Sequence, residues 1–147
     1  MLKNGIKDPV SALTHFIGLL ACIPCIFDLI FQASHQDAMT QVIGFAIFGL
    51  SLVLLYGAST IYHTLYVSEA KTILLRRIDH IMIFVLIAGT YTPICLVSLA
   101  GPWGWTMLAL IWILAIGGAV MKIFWIQAPR WLSTSLYIIM GWLAVIA

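Results

Sequence analysis

Five long apolar runs occupy most of the 147-residue chain: Val10–Phe31, Gln41–Ile61, Ile81–Leu99, Trp103–Met121 and Trp131–Ala147. A bilayer core about 30 Å thick needs roughly 20 apolar residues at about 1.5 Å of helical rise each, and every run meets or approaches that length. A soluble domain is excluded, because 63% hydrophobic and 8% charged residues cannot furnish a charged surface. The chain therefore reads as an all-α integral membrane protein, with residues 1–147 forming one transmembrane helical domain of five spans. Polar breaks separate the runs at Gln32–Thr40, Tyr66–Arg77, Ala100–Pro102 and Lys122–Arg130. The third is only a turn, marked by the helix-stopping pair Gly101-Pro102. No solenoid repeat or low-complexity linker divides the chain.

The few charges set the orientation. Lysine and arginine occur in the N-terminal tail (Lys3, Lys7), the second break (Lys71, Arg76, Arg77) and the fourth (Lys122, Arg130), and nowhere else. Five alternating spans place those three segments on one side of the membrane, so the positive-inside rule predicts a cytoplasmic N-terminus in the cell's inner (plasma) membrane. Trp103 and Trp105 then belong to the outer interface, and Trp125 and Trp131 to the inner one. A net charge of +2 carried in short connectors is no signal for nucleic acid. The predicted partner is the lipid bilayer.

The first run is too long for a signal-peptide core and has no small-residue cleavage site at its end, so it reads as a span. The fifth stops in apolar sequence at Ala147 after about 17 residues, or about 25 Å of helix. A product truncated at its C-terminus is the expectation. Cys22 and Cys25 make a C-x-x-C beside Pro24 inside an apolar helix. Without a second pair they read as small packing residues at a kink, and Cys95 adds no disulfide framework.

Ionisable side chains at a span's centre cost roughly 2.5–3.5 kcal/mol on insertion scales. Asp28, near the outer end of the first span, reads as a solvated carboxylate. His15, inside the opposite end of that span, reads as a packing histidine bonded to backbone. Ser59 and His63 are i and i+4, on one face of the second span. Asp79 falls in the first turn of the third, in an antiparallel hairpin that brings it to a similar depth. A hydroxyl, an imidazole and a carboxylate in one leaflet suit a zinc site, with His63 as ligand and Asp79 orienting it or a bound water. They equally suit a structural Asp–His hydrogen bond. His80 points about 100° away from Asp79 around the helix. Spacing leaves both readings open.

These residues also form familiar motifs. Tyr56-Gly57-Ala58-Ser59-Thr60-Ile61-Tyr62-His63 resembles the S-x-x-x-H helix of the hemolysin III family, the bacterial branch of the progestin and adiponectin receptor (PAQR) superfamily. Arg76-Arg77-Ile78-Asp79-His80 with Ala88-Gly89-Thr90-Tyr91-Thr92-Pro93 resembles its third-helix signature. Pro9 to His15 is similar to its opening, and Trp131-Leu132-Ser133-Thr134 with Met140-Gly141-Trp142 to its fifth helix. The resemblance covers essentially the whole chain in order. It implies a seven-helix bundle with a cytoplasmic N-terminus, of which this chain carries five helices. It also implies a zinc site near the cytoplasmic face, with His63 as one of three histidine ligands, Asp79 beside a zinc-bound water, and Ser59 as the family serine. The other two histidines lie in an H-x-x-x-H of the last helix, which is absent here, so a single-chain site is incomplete unless His15 or a second chain substitutes.

Three functions follow from the resemblance. The first is a zinc-dependent hydrolase of lipid amides such as ceramide in the complete form, with Asp79 and Ser59 catalytic. The second is the pore-like, haemolytic activity for which the bacterial branch is named. No polar stripe lines the spans, so an opening would need an oligomer. The third is a receptor-like protein with structural zinc. Analogy alone carries the hydrolase.

Overall fold

A computed structural model of the chain describes residues 5–36 and 38–145. They form helices and connectors, with no strand among the described residues. Helix α1 runs Pro9–His35, α2 Met39–Thr64, α3 Glu69–Pro93, α4 Pro102–Phe124 and α5 Arg130–Trp142. A π-helical turn, Ile94–Ser98, continues α3, and a 3-10 turn, Leu143–Val145, ends α5.

The first four helices, α3 together with its π-helical turn, are long and apolar enough to cross a membrane. Helix α5 has 13 residues, about 20 Å of rise against a core of about 30 Å, so four spans rather than five are established among the described residues. Two expected breaks shrink. The second connector is only Leu65–Ser68, and Lys71, Arg76 and Arg77 ride on α3. Lys122 belongs to the last turn of α4. Charge ended the apolar runs in sequence, but a helix continues through charged residues once they reach the interface, because its hydrogen bonds are internal to the backbone. Gly101 does end a helix as expected, in the left-handed region at φ 126°, followed by Pro102 at the first position of α4. Pro24 lies within α1, which runs on past it.

Consecutive helices pack on one another from α1 to α4, and α5 lies against α3 and α4. The centre is built by Phe84, Ala88 and Tyr91 of α3, Cys95 of the π turn, Met107, Ile111 and Ala115 of α4, and Met140 of α5. In lipid, apolar helices gain little from leaving their solvent, so close packing of small residues holds them together. Gly49 faces Ile26, Gly89 faces Ser51, and Gly118 faces the ring of Phe84. Large side chains elsewhere, among them Phe27, Trp105 and Phe124, are exposed; in water they would form an aggregating surface, whereas a bilayer covers them. Trp103 and Trp105 at one end, and Trp125 and Trp131 at the other, are all exposed, as an interfacial belt requires.

One polar contact fixes α5. The Tyr91 hydroxyl donates to the carbonyl of Met140 at 2.7 Å and lies 3.0 Å from that of Gly141. Tyr91→Phe removes this donor and leaves buried carbonyls short of a partner, at a cost of about 1–3 kcal/mol. Limited proteolysis of the purified protein should then cut the connector between α4 and α5, residues 125–129, several-fold faster than in the parent. An unchanged rate would show that α5 is held by packing alone.

Candidate functional site at the basic end of the bundle

The start of α1, the end of α2, the start of α3, the end of α4 and the start of α5 gather at one end of the bundle, which carries Lys7, Lys71, Arg76, Arg77, Lys122 and Arg130. His63 stands in the last turn of α2 and is half-buried. Its Nδ1 lies 3.0 Å from Oδ2 of Asp8. The Asp8 backbone N–H also donates to the His63 carbonyl at 2.9 Å, so the two residues are tied twice. Asp8 is the N-cap residue of α1, yet its carboxylate makes no capping bond there and goes to His63 instead.

Lys7 reinforces the tie. Its backbone N–H donates to the Thr64 carbonyl at 3.3 Å, and its ammonium donates to the Tyr62 carbonyl at 3.3 Å. The same ammonium sits 3.5 Å from the centroid of the Tyr62 ring. The last carbonyls of a helix lack partners and carry its negative dipole end. Residues 7 and 8 thus cap α2 with two backbone donors and a cation, and the cap holds the Asp8 carboxylate against His63.

His15 completes the cluster. Its Nδ1 donates to the Ser11 carbonyl at 2.6 Å, the backbone bond expected of it, and its ring stacks on His63 with centroids 5.5 Å apart and planes 23° apart. With Nδ1 engaged in both rings, both Nε2 atoms are left for other partners.

Ser59, one turn before His63, is 3% exposed, and Asp79 on α3 is 8% exposed. Among the described residues no hydrogen bond joins His63 to either of them. The two ion pairs found there are both made by Asp8, so Asp79 is a buried carboxylate without a cationic partner. The hydrogen bond foreseen for a structural aspartate and His63 exists, but with Asp8 of the N-terminal segment. Asp28 is exposed and accepts from the Gln32 amide at 2.7 Å. Cys22 is buried and Cys25 exposed, both as free thiols, as is Cys95.

The family resemblance calls for zinc, and the donor set fits it in part. A ligating histidine needs its second nitrogen held by a carboxylate or carbonyl, and His63 has that from Asp8. A closed site needs three or four ligands. Among the described residues no three His, Cys, Asp or Glu side chains come close enough to hold a metal ion. The described residues offer one buttressed imidazole, not a whole centre.

Sequence reasoning passed over two groups at this end. Asp8 lies just ahead of the first apolar run and carries no signal there beyond Asp-Pro, a capping pattern at a helix start. Lys122 was assigned to a connector; it is 3% exposed and donates to the Ser133 hydroxyl.

The family model described as Haemolysin-III related matches residues 4–147. The chain is 44% identical over 147 residues to Hemolysin-3 of Bacillus cereus, a match covering 99% of this chain and 67% of that protein. It is 46% identical over 143 residues to the Hemolysin-3 homolog of Bacillus subtilis, covering 97% of this chain and 67% of the relative. No solved structure matches. With the matched region running through all five helices and both ends of the site, the chain belongs to the haemolysin-III related family.

Proposed function

We propose that this chain supplies part of a zinc-dependent lipid amide hydrolase, with His63 as a metal ligand and Asp79 and Ser59 as polar groups of the reaction site. The observation that carries the reading is His63 itself, an imidazole at the end of an apolar helix with Nδ1 held by Asp8. Two further ligands would come from outside the described residues or from a second chain. Zinc held there supplies Lewis acidity toward an amide carbonyl. By holding Nδ1, Asp8 selects the tautomer of His63 whose Nε2 lone pair would be free for a metal. Asp79, buried and without a cationic partner among the described residues, is suited to accept a proton from water. Ser59, one turn from His63, offers a hydroxyl to the substrate's polar group.

The basic end faces the cytoplasm in this reading, in the inner membrane of the cell, as the positive-inside rule requires. Residues 1–147 act as one domain of a seven-helix bundle, with α5 as its fifth span.

Elemental analysis of the purified chain, with His63→Ala as control, tests the metal. Zinc that copurifies and falls to background in the variant supports the reading; equal zinc in both, or none in either, removes it. If zinc is bound, ceramide turnover should fall at least 100-fold in Asp79→Asn while zinc content stays constant. Turnover unchanged in that variant would leave zinc a structural role, as in a receptor-like protein.

The relatives' name favours a second reading, membrane lysis. Dye release from liposomes by the purified protein, scaling steeply with concentration, would support an oligomeric pore. Liposomes that stay intact at high protein load would count against it.

A further inference from the structure

A cavity of about 340 Å³ opens between α3, α4 and α5 at the basic end of the bundle. That volume falls within the roughly 300–1,000 Å³ range of small-molecule sites. Its polar lining is Arg76 and His80 of α3, Lys122 of α4, and Arg130, Ser133, Thr134 and Tyr137 of α5. None of these is a carboxylate, and Asp79 does not line the space. Three cations therefore face one cavity with no anion among them.

Lys122 makes this arrangement costly for an empty site. It is 3% exposed, and its only hydrogen bond among the described residues goes to a neutral hydroxyl, Ser133. A buried ammonium without a counter-charge loses several kcal/mol of hydration that a hydroxyl does not return. Two arginines on the same cavity add repulsion. His80 has a second unmet need: its Nδ1 is buried with no hydrogen-bond partner. The Tyr137 hydroxyl, which donates to the His80 carbonyl at 3.3 Å, holds α5 in place across the opening. A bound anion with several acceptor oxygens would answer the charge.

We propose that this cavity binds the phosphate group of an anionic phospholipid. Phosphate matches two guanidinium groups and an ammonium better than a carboxylate does, because its free oxygens, three in the monoester of phosphatidic acid, splay tetrahedrally rather than lying in one plane. The lipid source follows from position and lining. The cavity lies where the apolar lengths of α3 and α4 give way to charged residues, the level at which spanning helices meet lipid headgroups, and Ile83, Ile126 and Ala128 complete its wall. Basic pockets between membrane helices take lipid headgroups by this combination of charge and depth. The site contains neither His63 nor Asp8, so it stands whether or not zinc binds there.

The test is native mass spectrometry and thermal melting of the full chain in neutral detergent, titrated with dioctanoyl phosphatidic acid, dioctanoyl phosphatidylcholine and inorganic phosphate. One tightly held phosphatidic acid is expected, with at least ten-fold weaker binding of the zwitterionic lipid and of phosphate. Arg76→Gln with Arg130→Gln, both at exposed positions, should lower that affinity ten-fold or more without lowering the melting temperature of the lipid-free protein. Lys122→Met should abolish the site, and the double arginine variant keeps the test decisive if Lys122→Met fails to fold. Phosphatidic acid binding equally to parent and double variant would overturn the site. Inorganic phosphate binding as tightly as the lipid would overturn the lipid assignment.

Discussion

Gly118→Ala should destabilise the helix bundle by about 1–3 kcal/mol, the usual cost of forcing a methyl group into a packed interface. The added Cβ would land on the Phe84 ring, on its Cδ1, Cε1 and Cζ atoms. That ring cannot step aside. It is wholly buried, and the Tyr137 ring lies against it with centroids 4.6 Å apart. Yielding would push α3 from α4 and α5 together. Phe84→Leu alone leaves a void and costs about 1–2 kcal/mol, less than in a water-soluble core, because in lipid the lost transfer energy is small and lost contact dominates. The double variant gives the sharper result. The void from the lost ring accommodates the new methyl, so the pair should be more stable than the sum of the single losses by about 1 kcal/mol or more. Thermal melting of the four proteins in one detergent reads this directly, and strict additivity would mean that Gly118 and Phe84 do not meet.

The lipid-facing parts of these helices were plain in the sequence because hydropathy is a property of individual residues. The runs 10–31, 41–61 and 103–121 lie inside α1, α2 and α4, and Gly101-Pro102 marks the turn between α3 and α4. Hydropathy failed where a helix leaves the hydrocarbon. Arg76 and Arg77 look like a loop by composition, but they continue α3 back to Glu69, since interfacial turns can be charged without losing a backbone bond. Lys122 failed for the opposite reason. Its charge argued for water, while the fold buries it against Ser133, a contact that depends on where α5 docks.

The site was legible only in its parts. Ser59, His63 and Asp79 stood out as polar residues in apolar surroundings, and two of the three are buried. The residue that holds His63 did not stand out, because Asp8 lies 55 positions earlier and the pairing exists only once α1 returns beside the end of α2. Local spacing cannot report such a contact. It paired His63 with Asp79 by depth alone, and depth does not fix which carboxylate lies within hydrogen-bonding distance.

Asp8→Asn therefore has the larger functional consequence, and it rests on the proposed zinc site. The substitution keeps the backbone N–H that caps α2 at the His63 carbonyl, and it keeps the shape of the side chain. What it loses is the carboxylate that accepts from Nδ1 of His63 and so selects the tautomer with a free Nε2. Losing such a partner typically weakens metal binding about 10–100-fold. Competition with a zinc chelator on the purified chain should show a shift of that size, with the melting temperature of the metal-free protein within a few degrees of the parent. Asp8 is 46% exposed in its side chain, so water competes for the Asp8–His63 contact and the effect on folding stays small. His63→Ala separates the alternatives: it should remove binding altogether, and Asp8→Asn combined with it should add nothing. If Asp8→Asn leaves zinc affinity unchanged while His63→Ala abolishes it, Asp8 serves only to anchor the start of α1 to the end of α2. A fall in melting temperature as large as that of Gly118→Ala, with unchanged zinc affinity in the folded fraction, would place Asp8 in the fold rather than the site.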